Sequence, residues 1–236
     1  METRLQFEIL RQPDGTTCGP TCLHAVYAFY ADKIGLPEVI EETHTLEEGG
    51  TLAAFLGSHA LRRGYAATMY TYNLQLFDPT WFNAKPVDLR AKLEDQLEHK
   101  KDRKLRKATR GYQEFLSLGG EVLFEDLNGR LIRSYLDKGI PILTGLSSTF
   151  LYRGAREFGM DAEDDDVRGE PSGHFVVLCG YDRKTREVLV ADPLYPNPFA
   201  DNHLYAVSID RVICSILLGI LTYDGNLLII EPRRKP

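Results

Sequence analysis

The sequence predicts an α+β fold, in which an N-terminal helix packs on an antiparallel sheet and a charged helical insertion interrupts the chain. Two observations carry this expectation. Apolar residues recur at helical spacing in the N-terminal half, whereas the C-terminal half holds short apolar or alternating runs bounded by turn residues, so helices lead into strands joined as hairpins. A third bounds the size: 236 residues, 43% hydrophobic and 10% aromatic, suffice for a substantial core, and a single domain over 1–236 is expected.

The elements follow in order. Residues 5–11 read as a short strand. From Cys18 to about Ala31, Leu23, Val26, Tyr27 and Tyr30 form an apolar stripe at offsets of three and four. "TLAAFLGSHALRR", residues 51–63, reads as a second helix ended by Gly64, and "YAATMYTYN" after it alternates like a strand. Residues 83–117 have no glycine before Gly111 and are crowded with charge, which predicts one or two solvated helices whose exposed face can also dock a protein partner.

"EDLNGRLIRSYLDKG" predicts a helix closed by Gly139, and "PILTGL" the strand after it. The acidic stretch "EFGMDAEDDDVRGEPSG" lacks the alternating ligands and closing Glu of a calcium loop, so it is expected as a solvated, mobile loop. "HFVVLCGYD" and "REVLVADP" read as two strands around a turn near Arg183. "LGILTYDGNLLIIEP" reads as a further hairpin announced by Asp224-Gly225.

Charge and cysteine usage exclude several classes of function. A net charge of −6 argues against nucleic acid as partner, because neutralising phosphates needs a basic surface. The charged N-terminus is unlike a secretory signal, and no run reaches the roughly 18 apolar residues of a membrane span, so no membrane is expected and the chain reads as cytoplasmic. The four cysteines, at 18, 22, 179 and 214, are too few and irregular for a disulfide framework and lack zinc spacing. No metal or organic cofactor is implied. Cys22, one turn on from Cys18 on the same face, is read as a packing residue, and Cys179 and Cys214, inside apolar runs, as core. His24, His44, His59, His99 and His203 have no comparable partner spacing and are read as surface or locally hydrogen-bonded. The pair Gly49-Gly50 in "EEGG" echoes a double-glycine cleavage site but is read as a turn.

Cys18 has a different setting. It opens a helix behind "QPDGTT", and a helix N-terminus presents unpaired N–H groups and a positive dipole end that favour thiolate over thiol. A cysteine nucleophile also needs a base, a group to orient the base, and donors for the oxyanion. His174, between Gly173 and an apolar strand, is the candidate base. Asp192 ends the partner strand, and pairing around the turn near Arg183 sets it directly across from His174, where it is expected to accept the Nδ1–H. Gln12, six residues before Cys18, can supply an amide N–H to an oxyanion hole completed by the Cys18 backbone N–H.

"QPDGTTCGPTC", "GIPILTGLS", "SGHFVVLCGYD" and "VLVADP" resemble, in order, the motifs of papain-like cysteine peptidases, in particular the double-glycine leader peptidases that trim bacteriocin and peptide precursors, and their stand-alone relatives. The resemblance covers residues 1–75 and 120–231. It implies a papain-like fold with Gln12 as oxyanion donor, Cys18 as nucleophile, His174 as base and Asp192 as orienting acid. The chain departs from the family's transporter-fused members in lacking a membrane segment and in the length of its charged insertion. The function expected is hydrolysis of a peptide or isopeptide bond through a thioacyl intermediate, on a peptide or protein substrate. Two alternatives stand beside it: an acyltransferase or amidase using the same residues, and a catalytically degenerate papain-like binding module.

Overall fold

The computed structural model describes residues 2–46, 49–83, 87–159, 161–223 and 225–233. The architecture is α+β, as the sequence predicts. The main sheet has the order β3-β2-β10-β4-β7-β8-β9, with β1 paired to β7. Among the described residues, β2 and β3 are the one parallel pair. One core cluster lies on the α1 and α3 side of this sheet, the second on the α6 and α8 side.

The first strand, β1, spans Glu2–Arg4 and pairs with β7 at Gly180, Tyr181 and Asp182. The strand expected at 5–11 is therefore displaced to 2–4. The physical reason is occupancy of the sheet: upstream of Gly180 that edge of β7 pairs with β4, as far as Ile142 opposite Leu178, so the chain leaves the sheet after Leu5. Gly180 is needed at the crossing, since a methyl there would lie 2.8 Å from the Thr3 carbonyl.

Helix α1, Cys18–Phe29, packs its buried face, Cys22, Leu23, Val26 and Tyr27, against β7 and the short helix α2, Leu36–Glu42. Helix α3, Ala53–Arg62, is almost wholly buried and ends at Gly64, whose φ of +93° suits glycine. Strand β2, Tyr65–Thr71, follows, then a 3-10 turn at Pro79–Phe82.

The charged segment forms α4, Leu89–His99, and α5, Arg103–Ser117, capped by Asp88 and Asp102. Residues 84–86 of the expected insertion lie outside the described residues. These helices are not solvated throughout. Leu93 on α4, and Leu105, Ala108, Tyr112 and Phe115 on α5, are buried in the core, with α5 packed on α3. The polar composition hid this because an amphipathic helix needs only one apolar stripe.

Strand β3, Glu121–Leu123, and helix α6, Gly129–Leu136, lead to β4, Ile142–Ser147, and the short helix α7, Ser148–Tyr152. The acidic stretch is more ordered than expected. It forms a small hairpin of β5, Glu157–Phe158, and β6, Glu163–Asp164, and Asp165 accepts the N–H groups of Val167 and Arg168.

Strands β7, Gly173–Asp182, and β8, Glu187–Ala191, form the expected hairpin, and β9, Leu204–Ser208, pairs with β8. Helix α8, Ile209–Leu218, runs into a 3-10 turn at Gly219–Thr222 before β10, Asn226–Pro232. The expected hairpin at 218–232 is thus a helix-to-strand connection; β10 takes its partners from β2 and β4. Asp224 lies outside the described residues. Among the described residues, no helix is long and apolar enough to cross a membrane.

Candidate active site

The loop before α1 is a tight turn built by its own side chains. Asp14 Oδ1 accepts the N–H and the hydroxyl of Thr16, both at 2.8 Å, while Thr17 Oγ1 donates to the Asp14 carbonyl at 3.2 Å. Thr17, at the N-cap, makes no side-chain cap on α1, so the first-turn N–H groups around Cys18 are not consumed by it. Pro20 sits in the first turn, where its missing N–H costs no helical bond. Gly19 permits close approach to the start of α3: a Cβ there would lie 2.5 Å from Thr51 Cγ2, two residues before that helix, and 3.2 Å from Leu56 Cδ1 in it.

Cys18 is partly exposed. Cys22, one turn on, is fully buried, its thiol donates to the Phe175 carbonyl at 3.2 Å, and burial pushes its pKa well up. Cys179 is also buried, and burial raises its pKa to about 12. Cys214 corrects the sequence reading: it lies on the outer face of α8, exposed beside Leu217 and Leu218. Its apolar neighbours in sequence signalled a core position, but the helix buries Val212, Ser215 and Ile216 instead.

His174 and Asp192 meet, although not by the register expected. Val177 pairs with Ala191, which brings Asp192 level with Val176, two residues along from His174. A turn longer than assumed, with a bulge between Leu178 and Gly180, produces the offset. Because the shift is even, both side chains remain on one face of the sheet. His174 Nε2–H donates to Asp192 Oδ1 at 2.8 Å. The expected Nδ1 contact is therefore replaced by one through the far ring nitrogen, and the side chain of Cys18 is among the groups that raise the imidazole pKa.

Asp192 is completely buried and surrounded by donors. Oδ1 also accepts the Leu194 N–H at 3.0 Å, and Oδ2 accepts the hydroxyls of Tyr152 at 2.6 Å and Tyr205 at 2.7 Å. His203 exchanges two 2.9 Å bonds with its backbone, Nδ1 to the Asp192 carbonyl and the Asp192 N–H to the His203 carbonyl. Burial pushes the carboxyl pKa up, but the charge and hydrogen bond of His174 and the two phenols outweigh it, so the net shift is down, to about 2. For His174, burial pulls the pKa down; Asp192 and Cys18 outweigh it, and the net shift is up, to about 10.

Gln12 lies in the same neighbourhood through the backbone, its N–H donating to the Pro193 carbonyl at 2.9 Å. Its side chain is buried, and Nε2 donates to the Asp14 carbonyl at 2.7 Å, which fixes the amide orientation and leaves the second N–H of Nε2 unassigned. Its Oε1 has no partner among the described residues. The arrangement thus holds a thiol at a helix N-terminus, an imidazole whose pKa that thiol helps to raise, a buried carboxylate bonded to the imidazole, and a fixed amide. Sequence reasoning missed Tyr152, Tyr205 and the backbone role of His203; no motif links them, since they reach Asp192 from α7 and from the start of β9. His59 stands apart from this site, buried against Tyr27 with Glu42 at 3.1 Å.

A family model described as the Peptidase_C39 like family matches residues 102–208, a span that includes His174 and Asp192 and leaves Gln12 and Cys18 outside. A search of curated proteins gives no match. Among solved structures, the chain is similar to a double glycine motif protease from an AMS/PCAT transporter in complex with the leader peptide, at 14% identity and TM-score 0.45, with 98% of this chain and 94% of that one covered. It is also similar to the peptidase domain of Streptococcus ComA, a bifunctional ABC transporter of a quorum-sensing pathway, at 14% identity and TM-score 0.45, covering 97% of this chain and 100% of that one. Xylellain, a cysteine protease from Xylella fastidiosa, gives 16% identity and TM-score 0.47, covering 99% of this chain and 86% of that one. Over residues 102–208 the chain is similar to the Peptidase_C39 like family, in agreement with the family resemblance of its own motifs.

Proposed function

We propose that the chain is a cysteine peptidase that hydrolyses a peptide or isopeptide bond, with Cys18 as nucleophile, His174 as acid and base, Asp192 as orienting carboxylate and Gln12 as oxyanion donor. The observation that carries this reading is the hydrogen bond of His174 Nε2 to the fully buried Asp192 at 2.8 Å, with the Cys18 side chain near enough to raise the imidazole pKa. A structural histidine has no need of a buried carboxylate partner beside a thiol that opens a helix.

In this reading His174 takes the proton of the Cys18 thiol, the sulfur attacks the scissile carbonyl carbon, and the carbonyl oxygen takes up negative charge. The free N–H of Gln12 Nε2 and the Cys18 backbone N–H receive that oxyanion. The C–N bond breaks as the His174 imidazolium gives its proton to the leaving amine, which leaves a thioester on Cys18. Water then attacks the thioester while His174 takes its proton. The carboxylic product leaves and the thiol is restored. Asp192 stays ionised throughout, holding the Nε2–H and thereby presenting Nδ1 to the sulfur.

Profiling on a peptide library tests the function. Wild-type protein is expected to cleave a subset of peptides and Cys18→Ala none; failure of wild type to cleave any member, with the protein folded, counts against peptidase activity.

A further inference from the structure

The roles assigned so far use one oxygen of Asp192 and leave the other unaccounted for. Oδ2 accepts two phenolic hydroxyls, from Tyr152 at 2.6 Å and Tyr205 at 2.7 Å. They come from α7 and β9, on either side of the His174 hairpin. O–H donors this short on a carboxylate are charge-assisted and among the stronger bonds a buried group can make. Burial, and then the charge of Asp192, push both phenol pKa values far up, so each hydroxyl keeps its proton for donation. Phe199 fixes the ring positions, meeting Tyr152 edge-on at 5.6 Å and Tyr205 edge-on at 5.0 Å between centroids.

We propose that Tyr152 and Tyr205 are positioning residues of this site: their hydroxyls clamp Oδ2 of Asp192, turning Oδ1 toward His174 and keeping the carboxylate ionised. The inference rests on the reading of Cys18, His174 and Asp192 as the catalytic groups. A fully buried carboxylate short of donors reduces its charge by taking up a proton, and a protonated Asp192 no longer supports an imidazolium. With Oδ1 shared between His174 and the Leu194 N–H, the two phenols are the donors to Oδ2 among the described residues. The titratable groups facing Asp192 are His174 on β7, Tyr152 on α7, Tyr205 and the backbone-bonded His203 on the β9 side, and the Cys22 thiol on α1, with the Cys18 thiol beside His174.

The test compares Tyr152→Phe, Tyr205→Phe and the double variant with wild type, since Phe keeps the ring and removes the hydroxyl. Two readouts need no substrate: the carbon-13 NMR titration of the Asp192 carboxyl, and the pH dependence of Cys18 alkylation by iodoacetamide. Each single variant is expected to raise the Asp192 pKa by about one unit, the weight of one hydrogen bond to a charged group, and to move the acid limb of alkylation the same way. In an Asp192→Asn background the same changes should leave the alkylation profile unmoved. With a substrate in hand, kcat should fall while KM holds. The inference is overturned if both single variants titrate and alkylate as wild type, even with a lowered melting temperature, or if the alkylation shift persists in the Asp192→Asn background. Should the double variant not fold, the single variants decide. Because NMR and alkylation require no turnover, failure of the clamp is distinguishable from failure of the peptidase reading.

Discussion

The backbone N–H of Gln12 donates to the carbonyl of Pro193 at 2.9 Å, so the loop before Cys18 is tied to the residue that follows Asp192. The loop before Cys18 and the loop after Asp192 are thereby joined by a hydrogen bond, so the roles of these residues are separated by measurements that read different steps.

Gln12→Ala is expected to leave iodoacetamide labelling of Cys18 close to wild type, because it removes a side-chain donor and keeps the backbone bond to Pro193. Turnover should nevertheless fall by about 10²–10³, the weight of one oxyanion donor. Steady-state kinetics on a profiled peptide, with circular dichroism as a folding control, checks this. Unchanged kcat would reduce Gln12 to a loop element.

Selective alkylation identifies the reactive thiol. Brief iodoacetamide treatment near pH 6 should place the label on Cys18, read by peptide mass spectrometry. Cys22 and Cys179 are buried with raised pKa values, so the exposed Cys214 is the internal competitor. Faster labelling of Cys214 than of Cys18 at this pH argues against an activated Cys18.

The His174–Asp192 pair should shape stability against pH. Asp192, with its pKa lowered to about 2, contributes stability that is present above the unfolded carboxylate value of about 3.9 and lost as pH falls through 2. His174, raised to about 10, contributes stability that is complete below its unfolded value of about 6.5 and lost as pH rises through 10. Urea midpoints should therefore peak between about pH 4 and 6.5 and decline from there toward 10. The same alkaline decline in a His174→Gln variant would show that other groups cause it.

Phe115→Ala tests whether the charged helices belong to the core. Phe115 is fully buried on α5, and its loss should cost about 3–5 kcal/mol in urea unfolding. A cost under about 1 kcal/mol, the range of a surface change, would return α5 to the periphery.

What the sequence disclosed, and what it concealed, follows from the reach of each interaction. Cys18 at the mouth of α1 was legible because turn residues and a helix start are local signals. The meeting of His174 and Asp192 was legible through strand parity alone: the register was off by two, yet an even offset keeps both on one face. The ring nitrogen that contacts Asp192 was not legible, since side-chain rotation leaves no trace in residue order. Tyr152 and Tyr205 were invisible for a related reason, lying on elements that only the folded sheet brings to Asp192. Cys214 misled because apolar neighbours in sequence do not say which helical face turns inward, and residues 5–11 misled because β4 already occupied the edge they would have joined. Composition likewise concealed the buried stripe of α5 beneath its lysines and arginines.

The central claim, covalent catalysis by Cys18, is tested most directly by trapping the intermediate. Mixing the protein with a peptide found by profiling, quenching in acid within the first turnover and mapping the intact adduct by mass spectrometry should find the N-terminal product fragment joined to Cys18 as a thioester. Cys18→Ala should show neither adduct nor cleavage. Cleavage that persists in Cys18→Ala, or an acyl adduct mapped to another residue, would contradict the account.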